Sequence, residues 1–411
     1  MEKESTGKVS IKKRIRKSQI LSILRDRETL SPSEVAGYTE FTLPMSSSLM
    51  KELMAEDMLL LVEDRASTKI GRPPTSYALN PDGGYFLGVK VGLRKTRLIL
   101  LNLREEEVYF HASDTAGLND SVSFLDQLCD KINYALAESG IDRKKLLGLG
   151  LAVPGLVNRQ TGHSITYFSD LELSLKKYME MKLGVKVEVT NDVNAVTLGE
   201  KHFGAAKDLQ NVACINLDWG IGMGLIIGGE LYEGKSGLAG ELGHIKVEEN
   251  GDICTCGKIG CLETIASGKA MLKQLKQAVE NGQATNIVKM VENGDIENAR
   301  LNSLIQSVQT GDHLTLQLME DAGAKIGKSI GILINLLNLE CIILGGKLSQ
   351  AGDSILYPVR SAAIRNSLIE LYNDSKIICS DIRRKAGCLG ASTLISRSVF
   401  NAVEDVAAYY V

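Results

Sequence analysis

One imidazole and three thiols fall close together in this chain: His244, Cys254, Cys256 and Cys261. That donor set, four protein ligands with soft sulfur predominating, suits a tetrahedral zinc ion with no position left for water or substrate. Such an ion is structural and not catalytic. Glu241 stands three residues before the histidine and Glu263 two residues after the last cysteine, so the metal would fix two carboxylates beside it. Gly257 and Gly260 permit the tight turns of such a knuckle. The other cysteines (Cys129, Cys214, Cys341, Cys379 and Cys388) are scattered in apolar runs and read as buried small hydrophobes, not disulfides. A second constellation, Asn191-Asp192-Val193-Asn194, opens a helical pattern in which either Asn191 or Asp192 serves as N-cap.

These residues need a scaffold, and the 411-residue chain is long enough for two or three domains with sizeable cores. Charged residues make up 24% and apolar residues 44%, the balance of an ordinary water-soluble protein. No stretch approaches the roughly 20 apolar residues of a membrane span. The charged N-terminus has no apolar segment of signal-peptide type, so a cytoplasmic location without membrane attachment is expected. The net charge of −3 is uneven: residues 1–80 hold 13 Lys and Arg against 11 Asp and Glu, with the excess in the run Lys12 to Lys17.

That basic run precedes a trihelical pattern. The first helix is expected over about residues 17–27, with Ile20, Leu21, Ile23 and Leu24 on one face. Ser31-Pro32-Ser33-Glu34 is a capping box that starts a second. A third begins near Thr42, with Leu43, Leu49, Met50, Leu53 and Met54 expected inward and Ser46, Ser47, Ser48 and Lys51 outward. Small polar residues near a helix N-terminus suit insertion into the DNA major groove. Met58–Val62 and Ser76–Leu79 then read as two strands joined through a turn at residues 64–68, which completes a winged helix-turn-helix. Gly71-Arg72-Pro73-Pro74 lies in the wing; it is either a stiff linker or a finger that places Arg72 in the minor groove.

From Gly83 the pattern becomes α/β. Strands at 85–91, 97–103 and 107–111 are followed by alternating helices and strands. A second cycle starts at 212–217, 222–227 and 230–232, again with a glycine-rich first turn, as in a distant internal duplication. Long helices are expected at about 269–281, 312–338, 354–368 and 388–399. Two α/β lobes with a cleft between them are the implied architecture.

Glu241-Leu-Gly-His244…Cys254-Thr-Cys256-Gly-Lys-Ile-Gly-Cys261-Leu-Glu263, Asn191-Asp192-Val-Asn194…Gly199-Glu200 and Gly234…Gly237…Gly240-Glu241 together resemble the signatures of the ROK family (repressors, open reading frames and sugar kinases), in the subgroup with an N-terminal winged helix. The resemblance covers essentially the whole chain. It implies a duplicated actin/hexokinase-type, ribonuclease-H-like body behind the winged helix. The domains would be 1–80 for DNA binding, 81–200 with 387–411 for the first lobe, and 201–386 for the second lobe with its knuckle. It also implies that sugar hydroxyls are held by Asn191, Asp192, Glu241, His244 and Glu263. His244 would give one ring nitrogen to zinc and the other to the sugar.

In the family's kinases the residue matching Asp192 is the general base, and two glycine-rich turns hold phosphate. Here Lys90 stands where the first turn expects Asp, and Leu93 and Arg94 where it expects Gly-Thr. In the second turn, Trp219, the only tryptophan, replaces a threonine behind Asp218. These changes argue against ATP-Mg²⁺, leaving no catalytic residue and Asp192 as a vestigial base. Lys90 and Arg94 would alternatively hold an anion such as a sugar phosphate. The expected function is a sugar-responsive transcriptional regulator, a repressor of carbohydrate-utilisation genes, acting as a homodimer or homotetramer on operator DNA with structural zinc. The alternative is an active sugar kinase with an added DNA-binding domain.

Overall fold

The computed structural model describes residues 2–62, 75–115, 117–118 and 120–400. It opens with α1 (Glu2–Arg25), α2 (Pro32–Tyr38) and α3 (Leu43–Ala55), then β1 (Leu59–Val62) and β2 (Ser76–Leu79). The α2 capping box forms as the sequence requires: the Glu34 N–H donates to Ser31 Oγ at 3.3 Å, and the Ser31 N–H to Glu34 Oε2 at 2.7 Å. Thr42 caps α3 by accepting from the Met45 N–H. Strands β1 and β2 pair antiparallel, with Leu59 opposite Leu79. Three helices and a two-stranded ribbon make the expected winged helix. The expected turn at residues 64–68 and Gly71-Arg72-Pro73-Pro74 of the wing lie outside the described residues.

Three details differ from expectation. The first helix starts at Glu2 and not near residue 17, so the basic run is helical. Two of its lysines face α3: Lys13 meets Glu52 at 2.8 Å, and Lys17 meets Glu52 at 2.9 Å and Glu56 at 2.6 Å. On α3, Ser46 is completely buried, whereas Leu43 and Met54 are exposed. The period of 3.6 residues explains the correction: positions 46, 49, 50 and 53 share one face, and that face carries Leu49, Met50 and Leu53 into the core. Ser46 therefore cannot touch DNA from its place in the fold; Ser48 and Lys51 are exposed and Ser47 half-buried.

The chain next forms β3 (Tyr85–Val91), β4 (Lys95–Asn102), β5 (Glu107–Asp114), α4 (Ser121–Glu138), β6 (Leu146–Val153), a short β7–β8 hairpin (Val157–Asn158 with His163–Ser164), α5 (Leu175–Leu183) and β9 (Val187–Asn191). Their sheet has the order β5-β4-β3-β6-β9, antiparallel through β5, β4 and β3 and parallel between β3 and β6. Leu87, Val89, Leu98, Leu100, Leu149 and Leu151 form a core on one face beneath α4 and α5.

After α6 (Asp192–Phe203) come β10 (Val212–Leu217), β11 (Ile221–Ile227), β12 (Glu230–Leu231), α7 (Leu262–Ala266), α8 (Gly268–Glu280), α9 (Leu301–Gln309), α10 (His313–Leu337), β13 (Cys341–Gly345), α11 (Asp353–Arg365), α12 (Ile369–Asp374), β14 (Lys376–Cys379) and α13 (Ala386–Phe400). The second sheet has the order β12-β11-β10-β13-β14, with antiparallel pairs through β10 and parallel pairs beyond it. The same succession of a hairpin-built edge and parallel additions in both sheets bears out the duplicated α/β body. Helix α9 is an addition to the expected order, although Leu301, Leu304, Ile305 and Val308 carry the helical period and are buried. Two compact units divide the chain: residues 1–190 with 391–411, and residues 191–390. The winged helix falls within the first unit, and α6 within the second, ten residues ahead of the expected boundary. Among the described residues no helix is long and apolar enough to cross a membrane.

Candidate functional site

The candidate site is assembled on the first residues of β11, within the second unit. Helix α6 lies close on this strand: a Cβ at Gly222 would sit 2.7 Å from Val193 Cγ2, and one at Gly224 2.1 Å from Thr197 Oγ1. This packing sets the N-terminus of α6 beside the strand. Asn191 is its N-cap, and its Oδ1 accepts from the Val193 N–H at 2.8 Å and the Asn194 N–H at 3.3 Å. Asp192 is the first helical residue, half-buried. Between the two caps considered in the sequence, the structure has Asn191.

The turn carrying Glu241 and His244 lies on the same strand. The Met223 N–H donates to the Gly240 carbonyl at 3.2 Å. Gly240 has φ +97°, and a Cβ there would meet the Met223 carbonyl oxygen at 2.0 Å, so only glycine fits. One helical turn follows, Leu242–His244, with the His244 N–H bonded to the Glu241 carbonyl at 3.1 Å. Glu263, in the first turn of α7, completes the group: its Oε2 accepts from the Ile221 N–H at 3.2 Å. The expected sugar residues thus come from three segments that each rest on residues 221–224. The Glu241 carboxyl is held above the usual carboxylate range, first by lost hydration and then by the negative Glu263, with His244 opposing.

The metal cluster adjoins this wall. His244 Nδ1 is 3.4 Å from Cys254 Sγ, and Cys256 Sγ is 3.6 Å from Cys261 Sγ. All four donor atoms lie within 4.8 Å of one another. Bonds of about 2.3 Å to sulfur and about 2.0 Å to nitrogen in a tetrahedron give ligand–ligand edges of about 3.5–3.8 Å, so the cluster can hold one metal ion. Cys254 and Cys261 are buried and Cys256 is exposed. Burial and its neighbouring thiols push the Cys261 thiol up to about 12, whereas a backbone hydrogen bond from Lys258 lowers Cys256. A metal would displace these protons. The knuckle is pinned by its own backbone: the Val247 N–H donates to the Gly260 carbonyl at 2.8 Å, and the Cys254 N–H to the Lys258 carbonyl at 2.7 Å. Gly260 has φ +74°, and a Cβ there would strike the Glu248 carbonyl at 1.9 Å. With Nδ1 turned to the thiols, His244 presents Nε2 to Glu241 Oε2 at 3.7 Å.

The second phosphate turn is closed on itself. The Asp218 N–H donates to the Gly220 carbonyl at 3.0 Å, the Trp219 N–H to Asp218 Oδ1 at 2.9 Å, and the Ile221 N–H to Glu263. The carbonyls of Asp218 and Trp219 accept from the Gly268 and Lys269 N–H groups of α8. The Trp219 side chain packs against the core of this unit. Asp218 has a structural part that the sequence analysis does not assign it, filling the place of an anion on the Trp219 N–H; its signal in the sequence is an Asp one residue before a turn whose amides need an acceptor. In the first unit, the turn after β3 is a hairpin in which the Gly92 N–H donates to the Lys95 carbonyl and Lys95 meets Asp114 at 2.9 Å. Lys90 is half-buried there, and Leu93 and Arg94 are exposed.

Fold and site together define a winged helix-turn-helix carried on a duplicated actin/hexokinase-like body with a Cys/His knuckle. The chain belongs to the ROK family, whose model matches residues 86–398. It is 28% identical over 392 residues to a putative xylose repressor of Caldicellulosiruptor sp. (strain Rt8B.4), with 95% of this chain and 97% of that relative covered. It is 24% identical over 410 residues to the DNA-binding transcriptional dual regulator NagC of Escherichia coli (strain K12), covering 97% and 96%. A solved ROK family transcriptional regulator, homologous to the E. coli MLC protein, superposes with a TM-score of 0.81 at 25% identity, over 96% of this chain and 98% of that one. A ROK family glucokinase from Streptomyces griseus, solved with glucose and AMPPNP, matches with a TM-score of 0.66 at 27% identity, over 76% and 99%. The family model starts at residue 86, so all of the winged helix lies outside it.

Proposed function

We propose that this protein is a sugar-responsive repressor of carbohydrate-utilisation genes. It holds operator DNA with the winged helix, through Ser47, Ser48 and Lys51 of α3 and Arg72 of the wing. It binds a sugar or sugar phosphate with Asn191, Asp192, Glu241, His244 and Glu263. A structural zinc ion on His244, Cys254, Cys256 and Cys261 braces Glu241 and Glu263, and all four of its positions are filled by protein. Sugar binding acts through its different affinity for the DNA-bound and DNA-free states. Paired copies in the cytoplasm read half-sites about one helical turn apart.

The observation that carries this reading is the second phosphate turn, where the Asp218, Trp219 and Ile221 amides already have acceptors within the chain. A nucleotide there would have to displace Asp218, Glu263 and the packing of Trp219. The likeness over nearly the whole chain to a putative xylose repressor and to a solved transcriptional regulator supports the same side. Against it stand the likeness to a glucokinase and Asp192 at the kinase-base position, which favour the reading as a DNA-binding sugar kinase. Calorimetric titration separates the two. The expected result is no heat with ATP and Mg²⁺, no sugar phosphorylation, and one equivalent of zinc in the purified protein. Micromolar ATP-Mg²⁺ binding with turnover of any hexose decides for the kinase.

A further inference from the structure

Leu43 was expected inward on α3, and the structure turns it out: it is 53% exposed. A lone exposed leucine is ordinary on a protein surface. This one is the first residue of the helix that a helix-turn-helix lays in the DNA major groove, and the N-terminal residues of that helix are the ones that reach base edges. Pro44 beside it is also exposed, so the tip of α3 is apolar. The tip is held in place by the turn before it. Thr39 Oγ1 donates to the Val35 carbonyl at 2.7 Å and accepts from the Phe41 N–H at 3.2 Å, and Thr42 caps α3.

The same module carries cations suited to an anionic partner. The Arg27 guanidinium lies 4.1 Å from the ring centre of Tyr38, the last residue of α2, and both side chains are exposed. Asp26 is paired with Arg25, Glu34 accepts from Ser31, and Arg27 has no ion pair among the described residues. The stacked pair borders an open cavity of about 500 Å³, lined also by Ile23 and Asp26. Lys51, two turns along α3 from Leu43, is exposed. Lys13 and Lys17 of the basic run are committed to Glu52 and Glu56, so they do not supply this charge. An apolar tip with exposed cations on neighbouring elements matches a duplex groove, which has phosphates on its rim and base edges within.

We propose that Leu43 is a specificity-determining residue that reads the 5-methyl group of a thymine in the operator, while the Arg27–Tyr38 stack holds a flanking phosphate. The methyl group is the one apolar group that base edges present in the major groove, and only thymine carries it. The serines of α3 cannot make this choice, because a hydroxyl both donates and accepts and so pairs with any base. The inference rests on the operator-binding reading above and adds to it which base the helix tip selects.

The test uses the full chain and a duplex that the protein itself selects from a random-sequence pool. Each thymine of that duplex is replaced in turn by deoxyuridine, which keeps the base pair and removes only the methyl group, and the affinity is measured. At one thymine the replacement is expected to weaken wild-type binding by about three- to five-fold, the worth of one buried methyl group. In Leu43→Ala the same replacement makes no difference, and the melting temperature stays at the wild-type value because the side chain is exposed. Arg27→Ala is expected to weaken binding alike on every sequence and to lower the slope of log affinity against log salt by about one. The deoxyuridine series on the wild type needs no variant, so it decides alone should Leu43→Ala fail to fold. Wild-type binding that tolerates deoxyuridine at every position, an equal loss in Leu43→Ala, or an unchanged slope in Arg27→Ala overturns this proposal and leaves the operator reading standing. A wild-type chain that selects no duplex from the pool overturns both.

Discussion

Glu263 has two partners to serve: the Ile221 amide it already accepts from, and the sugar hydroxyl proposed for it. Glu263→Gln separates the two, because the amide oxygen still accepts from Ile221 while the charge is lost. A hydrogen bond to a charged group contributes about 1.5–3 kcal/mol, so sugar affinity is expected to fall by about 10–150-fold by calorimetry. The melting temperature without ligand should hardly move. Equal losses of stability and affinity would make Glu263 a purely structural cap on the closed turn. Glu200 titrates differently. It is fully buried on α6, accepting from Ser380 Oγ and, at 3.3 Å, from the Ala205 N–H. Burial raises its pKa, with those two donors opposing. A folded-state pKa above the unfolded one means its stabilising contribution is complete below the ordinary carboxylate range and is lost as pH rises through the raised value. Wild-type stability should therefore fall over that interval, and Glu200→Gln, which carries no charge, should flatten the slope in denaturant melts. An unchanged slope removes Glu200 as its source.

Among the elements, those with strong local signals were legible in the sequence. The capping box at Ser31, the strand at Tyr85–Val91 and the Cys/His spacing are local, and each stands where it was expected. What escaped depended on partners distant in the chain. The basic run is helical and tied to Glu52 and Glu56, some forty residues away, which no reading of residues 12–17 contains. Ser46 has the character of a surface residue and the register of a core one, and register prevailed. Its hydroxyl has no hydrogen-bond partner among the described residues. Leaving a buried hydroxyl unpaired costs about 1–3 kcal/mol, so Ser46→Ala is expected to raise stability, or at worst leave it unchanged, with operator affinity intact. Lys51, exposed on the opposite face, should behave in the reverse way. Lys51→Ala is expected to weaken operator binding and lower the slope of log affinity against log salt by about one. A Ser46→Ala protein that loses DNA binding would restore the outward reading that burial contradicts.

For the whole molecule, the expected boundary near residue 80 treats the winged helix as a separable head, but its core does not end there. Ile20, Leu24, Leu53 and Leu59 share a cluster with Phe86 and Leu103 from beyond that boundary and with Ile395 and Phe400 from the last helix. Asp57, at the end of α3, meets Lys145 at 2.7 Å, and Arg104 Nε donates to the Leu79 carbonyl at 3.0 Å. The ion pair is exposed and worth about 0–1 kcal/mol, so it does not decide the matter. The four apolar side chains do: at about 1.5–3 kcal/mol each, their burial is comparable with the roughly 5–15 kcal/mol that holds a whole domain folded. A fragment of residues 1–83 lacks all four and is expected to show no cooperative melt by circular dichroism. The full chain, with the seam intact, should lose its α1–α3 amide protection in hydrogen exchange together with that of β3 and the end of α13. A fragment that melts sharply on its own, or an α1–α3 region that exchanges well before β3, would mean that the seam is surface packing between separable parts. Joint protection would mean that the winged helix and the first sheet are one body, so that whatever moves that sheet moves the DNA-binding helices with it.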